Sequence, residues 1–183
     1  MDKITEILNS GGVVMHPTET CYGLAVDIFN PEALQKLYSV KQMAGDKPVS
    51  ILVDSLEMAQ KYGEFSPKAL ELAQKYWPGP LSIVVPRTEG LPLFLNPKEE
   101  FVSIRWSSLP FCVEMVGALG RPVTTTSANI SGEPEFYLPK EVMGVDLLVN
   151  GGEIIGSKPS TIVKVVGDSF EILRQGSLVL KMV

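Results

Sequence analysis

Hydroxyl, amide and cationic side chains gather at a few points of this chain, and almost no catalytic base accompanies them. The densest group is Thr124-Thr125-Thr126-Ser127-Ala128-Asn129-Ile130-Ser131-Gly132, where five hydroxyls and one amide fall within eight residues. Such side chains donate hydrogen bonds to anionic oxygens, and the backbone N–H groups of a turn can form an anion-binding nest. A β-branched run leading into a polar turn also sits beyond the carboxyl end of a strand, where α/β sheets bind their ligands. The same residues suit an ordinary polar loop in which Ser127 or Asn129 caps the next segment.

Other polar turns repeat this chemistry. His16-Pro17-Thr18-Glu19-Thr20-Cys21-Tyr22-Gly23-Leu24 adds hydroxyls, a carboxylate and the one histidine. It reads either as part of a site or as a connecting turn with Thr18 and Glu19 solvated, and a histidine beside a proline reads first as structural. Lys41 stands where a helix ends, with Lys47 beyond a Gly-Asp turn. There a lysine either answers the helix dipole or faces a phosphate. Arg105 lies in Phe101-Val102-Ser103-Ile104-Arg105-Trp106 and by alternation shares a face with Phe101 and Ser103. A cation in so apolar a strand needs an anionic partner, either a ligand carboxylate or a nearby Asp or Glu. Ser157-Lys158-Pro159-Ser160-Thr161 and Arg174-Gln175-Gly176 complete the set. Together these turns suit a site that holds phosphate and carboxylate and acts through position and charge.

Composition removes several rivals. With 183 residues, 45% apolar and 20% charged, the chain suits one domain over 1–183. No apolar run reaches the roughly 18 residues of a membrane span. The two cysteines, Cys21 and Cys112, make no disulfide framework, which points to a reducing, cytoplasmic compartment. One histidine and two distant cysteines offer too few ligands for zinc. A net charge of −5 argues against a chain-wide nucleic-acid surface but leaves room for a local basic cleft. Neither a G-x-x-x-x-G-K-[ST] loop nor a G-x-G-x-x-G turn occurs.

The elements that must position these turns alternate between strand and helix, the pattern of an α/β or α+β domain. Helices are predicted over 3–9, from Asn30-Pro31 to about Lys41, over 55–61, 66–76 and 110–119. Strands are predicted over 12–16, 22–27, 49–53, 81–86, 101–106, 123–126, 146–149, 161–166 and 170–173. Every polar turn abuts a predicted strand end.

Seven segments also recur in the order of a known family. They are Pro17-Thr18-Glu19-Thr20-Cys21-Tyr22-Gly23-Leu24, Lys41, Trp77-Pro78-Gly79-Pro80-Leu81, Ser103-Ile104-Arg105, Thr126 to Gly132, Ser160-Thr161-Ile162-Val163 and Arg174-Gln175-Gly176. The chain resembles the YrdC/TsaC-type L-threonylcarbamoyladenylate synthases in their single-domain form. The resemblance implies an α/β fold, a twisted mixed sheet flanked by helices around a large concave cleft. It implies that L-threonine, bicarbonate and ATP with Mg2+ yield threonylcarbamoyl-adenylate and pyrophosphate, with no metal held by the protein itself. The product serves threonylcarbamoyladenosine modification of tRNA beside the anticodon, which makes tRNA and the other proteins of that pathway partners.

By resemblance, Thr20, Arg105, Thr125 and Ser160 hold threonine, with Arg105 on its carboxylate. Lys41, Ser127 and Asn129 match the phosphate-holding, catalytic positions, and Lys47 and Arg174 further nucleotide contacts. Two positions depart from the family pattern. Met43 stands where Lys-x-Arg is usual, and no histidine accompanies Leu52. The alternatives are an RNA-binding module of the same fold and a relative without synthase activity. A carbamoyl phosphate-using domain of hydrogenase maturation proteins belongs to much longer chains.

Overall fold

The expected elements form, and they divide between two mixed sheets rather than one. A computed structural model describes residues 1–155 and 158–180. Helix α1 (Asp2–Asn9) buries Leu8, and the left-handed Gly11, at φ 81°, turns the chain into β1 (Val14–His16). Strand β2 (Gly23–Ala25) returns antiparallel to β1. Helix α2 (Pro31–Val40) begins as the sequence predicts: the Asn30 side chain accepts from Ala33 N and proline occupies the first turn. Strand β3 (Ile51–Leu52) follows, then helices α3 (Leu56–Tyr62) and α4 (Pro67–Tyr76), capped by the Ser55 and Ser66 hydroxyls.

Strands β4 (Leu81–Pro86) and β5 (Phe101–Arg105) pair antiparallel, with Ser82 opposite Arg105. Helix α5 (Pro110–Leu119) ends on left-handed Gly120. Strands β6 (Val123–Thr124) and β7 (Thr126–Ser127) follow, then β8 (Leu147–Leu148), β9 (Thr161–Val166) and β10 (Ser169–Arg174). The smaller sheet has the order β7-β2-β1-β8 and the larger β10-β9-β4-β5-β3-β6.

Several strands are shorter than the sequence predicts, β1, β2 and β8 among them, and two of them are cut short for identifiable reasons. The 49–53 run pairs only at Ile51 and Leu52. Val49 instead bonds through both its N–H and its C=O to the side chain of buried Asn96, a left-handed residue. The 123–126 run breaks at Thr125: Val123 and Thr124 join β3 in the large sheet, whereas Thr126 and Ser127 join β2 in the small one.

A main apolar cluster links α2, α4 and both sheets through Leu24, Leu37, Ile51, Leu72, Ile83 and Ile104. A second one, with Leu8, Val14, Leu52, Met115 and Val116, seats α1 and α5. Burying each such side chain stabilises by about 1.5–3 kcal/mol. No helix among the described residues is long and apolar enough to cross a membrane.

Candidate active site

Where one strand serves two sheets, the sheets part and leave a hollow. Thr125, at the crossing, donates its N–H to Ser50 O at 2.8 Å. The hollow measures about 600 Å3 with its open mouth, and Ser82, Arg105, Thr125, Ser127, Ser160 and Arg174 line it. Five of these six were candidate residues in the sequence, brought from β5, β7, β10 and the turns between strands.

Arg105 ends β5 with its side chain 6% exposed. Its Nη2 donates to Thr20 Oγ1 at 2.8 Å and lies 3.1 Å from Glu19 Oε2, while Nε is buried without a partner. The structure thus supplies the acidic neighbour that an arginine in this strand requires, and Arg105 still lines the hollow. Thr20 is fully buried behind the guanidinium, with its hydroxyl 2.9 Å from that of Thr18. The 18–21 turn closes on itself, because Thr18 Oγ1 donates to Cys21 O and accepts from Thr20 N. Thr18 and Glu19 are therefore not a solvated turn. Burial pushes the Glu19 carboxyl up, but the Arg105 charge and the Ser107 hydroxyl outweigh it and hold it below its ordinary value.

Lys41 points inward. Its Nζ donates to Ser127 O at 2.5 Å, Asn129 O at 3.0 Å and Asn129 Oδ1 at 3.2 Å. All three protons of the ammonium are used, so Lys41 pins the loop that carries the phosphate-type side chains. The loop braces itself further: Ser127 Oγ donates to Asn129 Oδ1, Asn129 Nδ2 donates to Glu133 O, and Ser131 N donates back to Lys41 O. Burial, helped by Lys47, brings the Lys41 ammonium down to about 8 despite opposing Cys21 and Glu135. Lys47 lies at the exposed rim, its Nζ 2.9 Å from Ser131 Oγ. Met43 packs half-buried on the core, so no cation extends from that position.

Ser160 and Arg174 build the opposite wall. Ser160 Oγ lies 3.0 Å from Ser82 Oγ, and Arg174 donates through Nε and Nη2 to Ser160 O at 3.0 and 2.9 Å. Gly176 permits this closeness, since an added Cβ would lie 2.1 Å from Pro159 O and 2.5 Å from Ser160 C. Those are backbone atoms that cannot step aside. Gly176→Ala is therefore expected to lower unfolding stability by about 1–3 kcal/mol, measured by denaturant titration. Unchanged stability would show that the 159–160 turn yields freely. Lys158 is among the described residues; Ser157, from the same motif, lies outside them.

Sequence reasoning missed Ser82. The signal was a lone hydroxyl in an otherwise apolar strand, at the position cross-paired with Arg105. His16 is fully buried, with Nδ1 2.9 Å from Pro17 O, and burial brings its ring down to about 4. At neutral pH it is an uncharged structural ring. Among the described residues, no three His, Cys, Asp or Glu side chains group as metal ligands. The donors that face the hollow are hydroxyls and guanidinium groups, which suit anionic oxygens better than a cation.

The hollow combines a fixed arginine with a braced hydroxyl loop, so it can seat a carboxylate beside a phosphate chain. Comparisons with known proteins place the chain among relatives. A threonylcarbamoyl-AMP synthase of Vibrio parahaemolyticus is 32% identical over 187 residues, covering 96% of this chain and 100% of that protein. The crystal structure of Pyrococcus abyssi Sua5 complexed with L-threonine superposes with a TM-score of 0.87 at 27% identity, over 94% of this chain and 52% of that one. This chain thus spans about half the length of the Pyrococcus protein. E. coli YciO shares the fold, with a TM-score of 0.83 at 24% identity over 96% of this chain and 88% of that one. The Sua5/YciO/YrdC family model, described as "Telomere recombination", matches residues 6–176, and the chain belongs to that family.

Proposed function

We propose that this protein is a threonylcarbamoyl-AMP synthase, a nucleotidyl-transferring enzyme that joins L-threonine, bicarbonate and ATP. The observation that carries this reading is Arg105, anchored at one corner of its guanidinium and lining the same hollow as Ser127, whose carbonyl Lys41 holds from behind the lining together with that of Asn129. The relatives' names and the threonine in the Pyrococcus structure support the choice of substrate.

Threonine's carboxylate sits on Arg105, with the hydroxyls of Thr125, Ser160 and Ser82 around it, while Thr20, buried and outside the lining, accepts from the guanidinium instead of touching substrate. Its neutral amine adds to the carbon of bicarbonate, water leaves, and a carbamate forms. A carbamate oxygen then attacks the α-phosphorus of ATP, and the bond from that phosphorus to the pyrophosphate oxygen breaks. The Ser127 hydroxyl and the Asn129 amide, exchanging their contacts within the loop for phosphate oxygens, stabilise the charge that builds there, with Arg174 and Lys47 as outer contacts. Mg2+ enters on the ATP phosphates as part of the substrate and shares that charge. The amine's proton leaves on the bicarbonate hydroxyl that departs as water, with no protein base, because His16 is buried and poorly basic and burial holds the Cys21 thiol protonated. Carbamates decompose in water, so a hollow that excludes water favours the second step. The product then feeds threonylcarbamoylation of tRNA, with transfer left to partner proteins.

The test is pyrophosphate release from ATP as L-threonine and bicarbonate are varied. Release is expected only when all three are present. Threonine binding without release would mark a relative that has lost the synthase step. Salt-sensitive RNA retention without turnover would mark an RNA-binding module.

A further inference from the structure

The roles assigned above leave one mostly covered carboxylate unused, that of Glu19, whose side chain is 18% exposed. Glu19 is held by the turn that directly follows Arg105 in the chain, so carboxylate and guanidinium are fixed on one short segment. Its Oε2 accepts from Ser107 Oγ, and its Oε1 accepts from Ser108 N at 3.3 Å. Ser107, fully buried, also accepts from Leu109 N at 3.2 Å, the residue before α5. Glu19 is thus tied to the β5–α5 turn before it meets Arg105 at 3.1 Å.

Both partners of Arg105 meet the same nitrogen, Nη2. A guanidinium is a rigid plane with five N–H donors, so fixing one corner orients the rest. The buried Nε–H remains without an acceptor. A buried donor left unsatisfied costs free energy unless a ligand meets it. A carboxylate behind the guanidinium also balances its charge while the hollow is empty.

We propose that Glu19 is a positioning residue, holding the Arg105 plane so that its unspent donors meet the carboxylate of the amino-acid substrate. This rests on the synthase reading. It assigns Glu19 to substrate affinity rather than to chemistry, since its carboxylate touches Arg105, Ser107 and Ser108 and is not among the residues lining the hollow. A carboxylate that served only to stabilise the fold would leave threonine recognition unchanged once the protein is folded.

The experiment compares wild type with Glu19→Gln and Glu19→Asp, by steady-state kinetics and by calorimetry with L-threonine. Glu19→Gln is expected to raise KM for threonine about tenfold to a hundredfold, the worth of a hydrogen bond to a charged group. KM for ATP and kcat are expected to stay within about threefold. Glu19→Asp keeps the charge and is expected to recover part of the affinity. If Glu19→Gln does not fold, Ser107→Ala, which loosens Glu19 without removing it, is expected to raise threonine KM several-fold. Unchanged threonine KM, or equal rises for threonine and ATP, overturns the assignment. If wild type itself binds no L-threonine, the synthase reading fails. If wild type binds threonine and Glu19→Gln binds it equally well, only the role of Glu19 fails.

Discussion

Arg105→Met is expected to cut kcat/KM for L-threonine by about a thousandfold, since truncating one partner of a buried, hydrogen-bonded charge pair costs about 2–5 kcal/mol. The loss arises twice over. Substrate loses its carboxylate partner, and Glu19 keeps a partly buried charge with its cation removed. Stability is expected to fall by about 3 kcal/mol for the same reason. A pH series separates the two effects. In the native protein the Glu19 carboxyl is held below its ordinary value of 4.5, so the pair stabilises above that pH and its contribution is lost as pH falls through the lower folded value. Arg105→Met removes that acid-limb loss along with the stability itself. Arg105→Lys keeps the charge without the fork and is expected to retain only a minor part of the threonine affinity. Kinetics and denaturant unfolding across pH 3–7 check both outcomes; wild-type threonine kinetics in Arg105→Met would remove Arg105 from the site.

Lys41→Met is expected to lower kcat about a hundredfold to a thousandfold while threonine affinity changes little. Three acceptors converge on the ammonium, and all belong to the loop that faces the phosphates. Without Nζ the carbonyls of Ser127 and Asn129 lose their common anchor, and the nest no longer has a fixed shape. The ammonium titrates at about 8, so pH moves activity and stability in opposite directions. Activity is expected to fall as pH rises through about 8 and the anchor loses its charge. The group's contribution to folding changes the other way. The native form gives up its proton near 8 and the unfolded chain near 10.5, so stability gains from Lys41 between those values. A kcat profile from pH 6.5 to 9.5 shows the first effect and unfolding over the same range the second. In Lys41→Met both slopes are expected to flatten.

Much of this arrangement was legible in the residues. Asn30-Pro31 announced the start of α2 because cap and ring chemistry act locally. The apolar alternation of β5 placed Arg105 on one face and demanded an anion for it. Glu19 is that anion, but two readings of its loop were open, and only the turn of Ser107 and Ser108 decides between them. The division of Thr124 from Thr126 was not legible, because both segments are β-branched and local propensity does not say which sheet a strand joins. That break makes the hollow. Lys41 is legible as the cation at the end of α2, yet its inward direction depends on carbonyls 86 and 88 residues away. Ser82 was hidden inside a strand that reads as core.

The central claim is that one hollow between two sheets grips an amino acid and a nucleoside triphosphate together. A crystal structure with L-threonine and a non-hydrolysable ATP analogue tests it most directly. The account predicts threonine's carboxylate on Arg105, with its amine directed toward an α-phosphate that lies against Ser127 and Asn129. Ligands bound in separate depressions, or a threonine carboxylate away from Arg105, would contradict it.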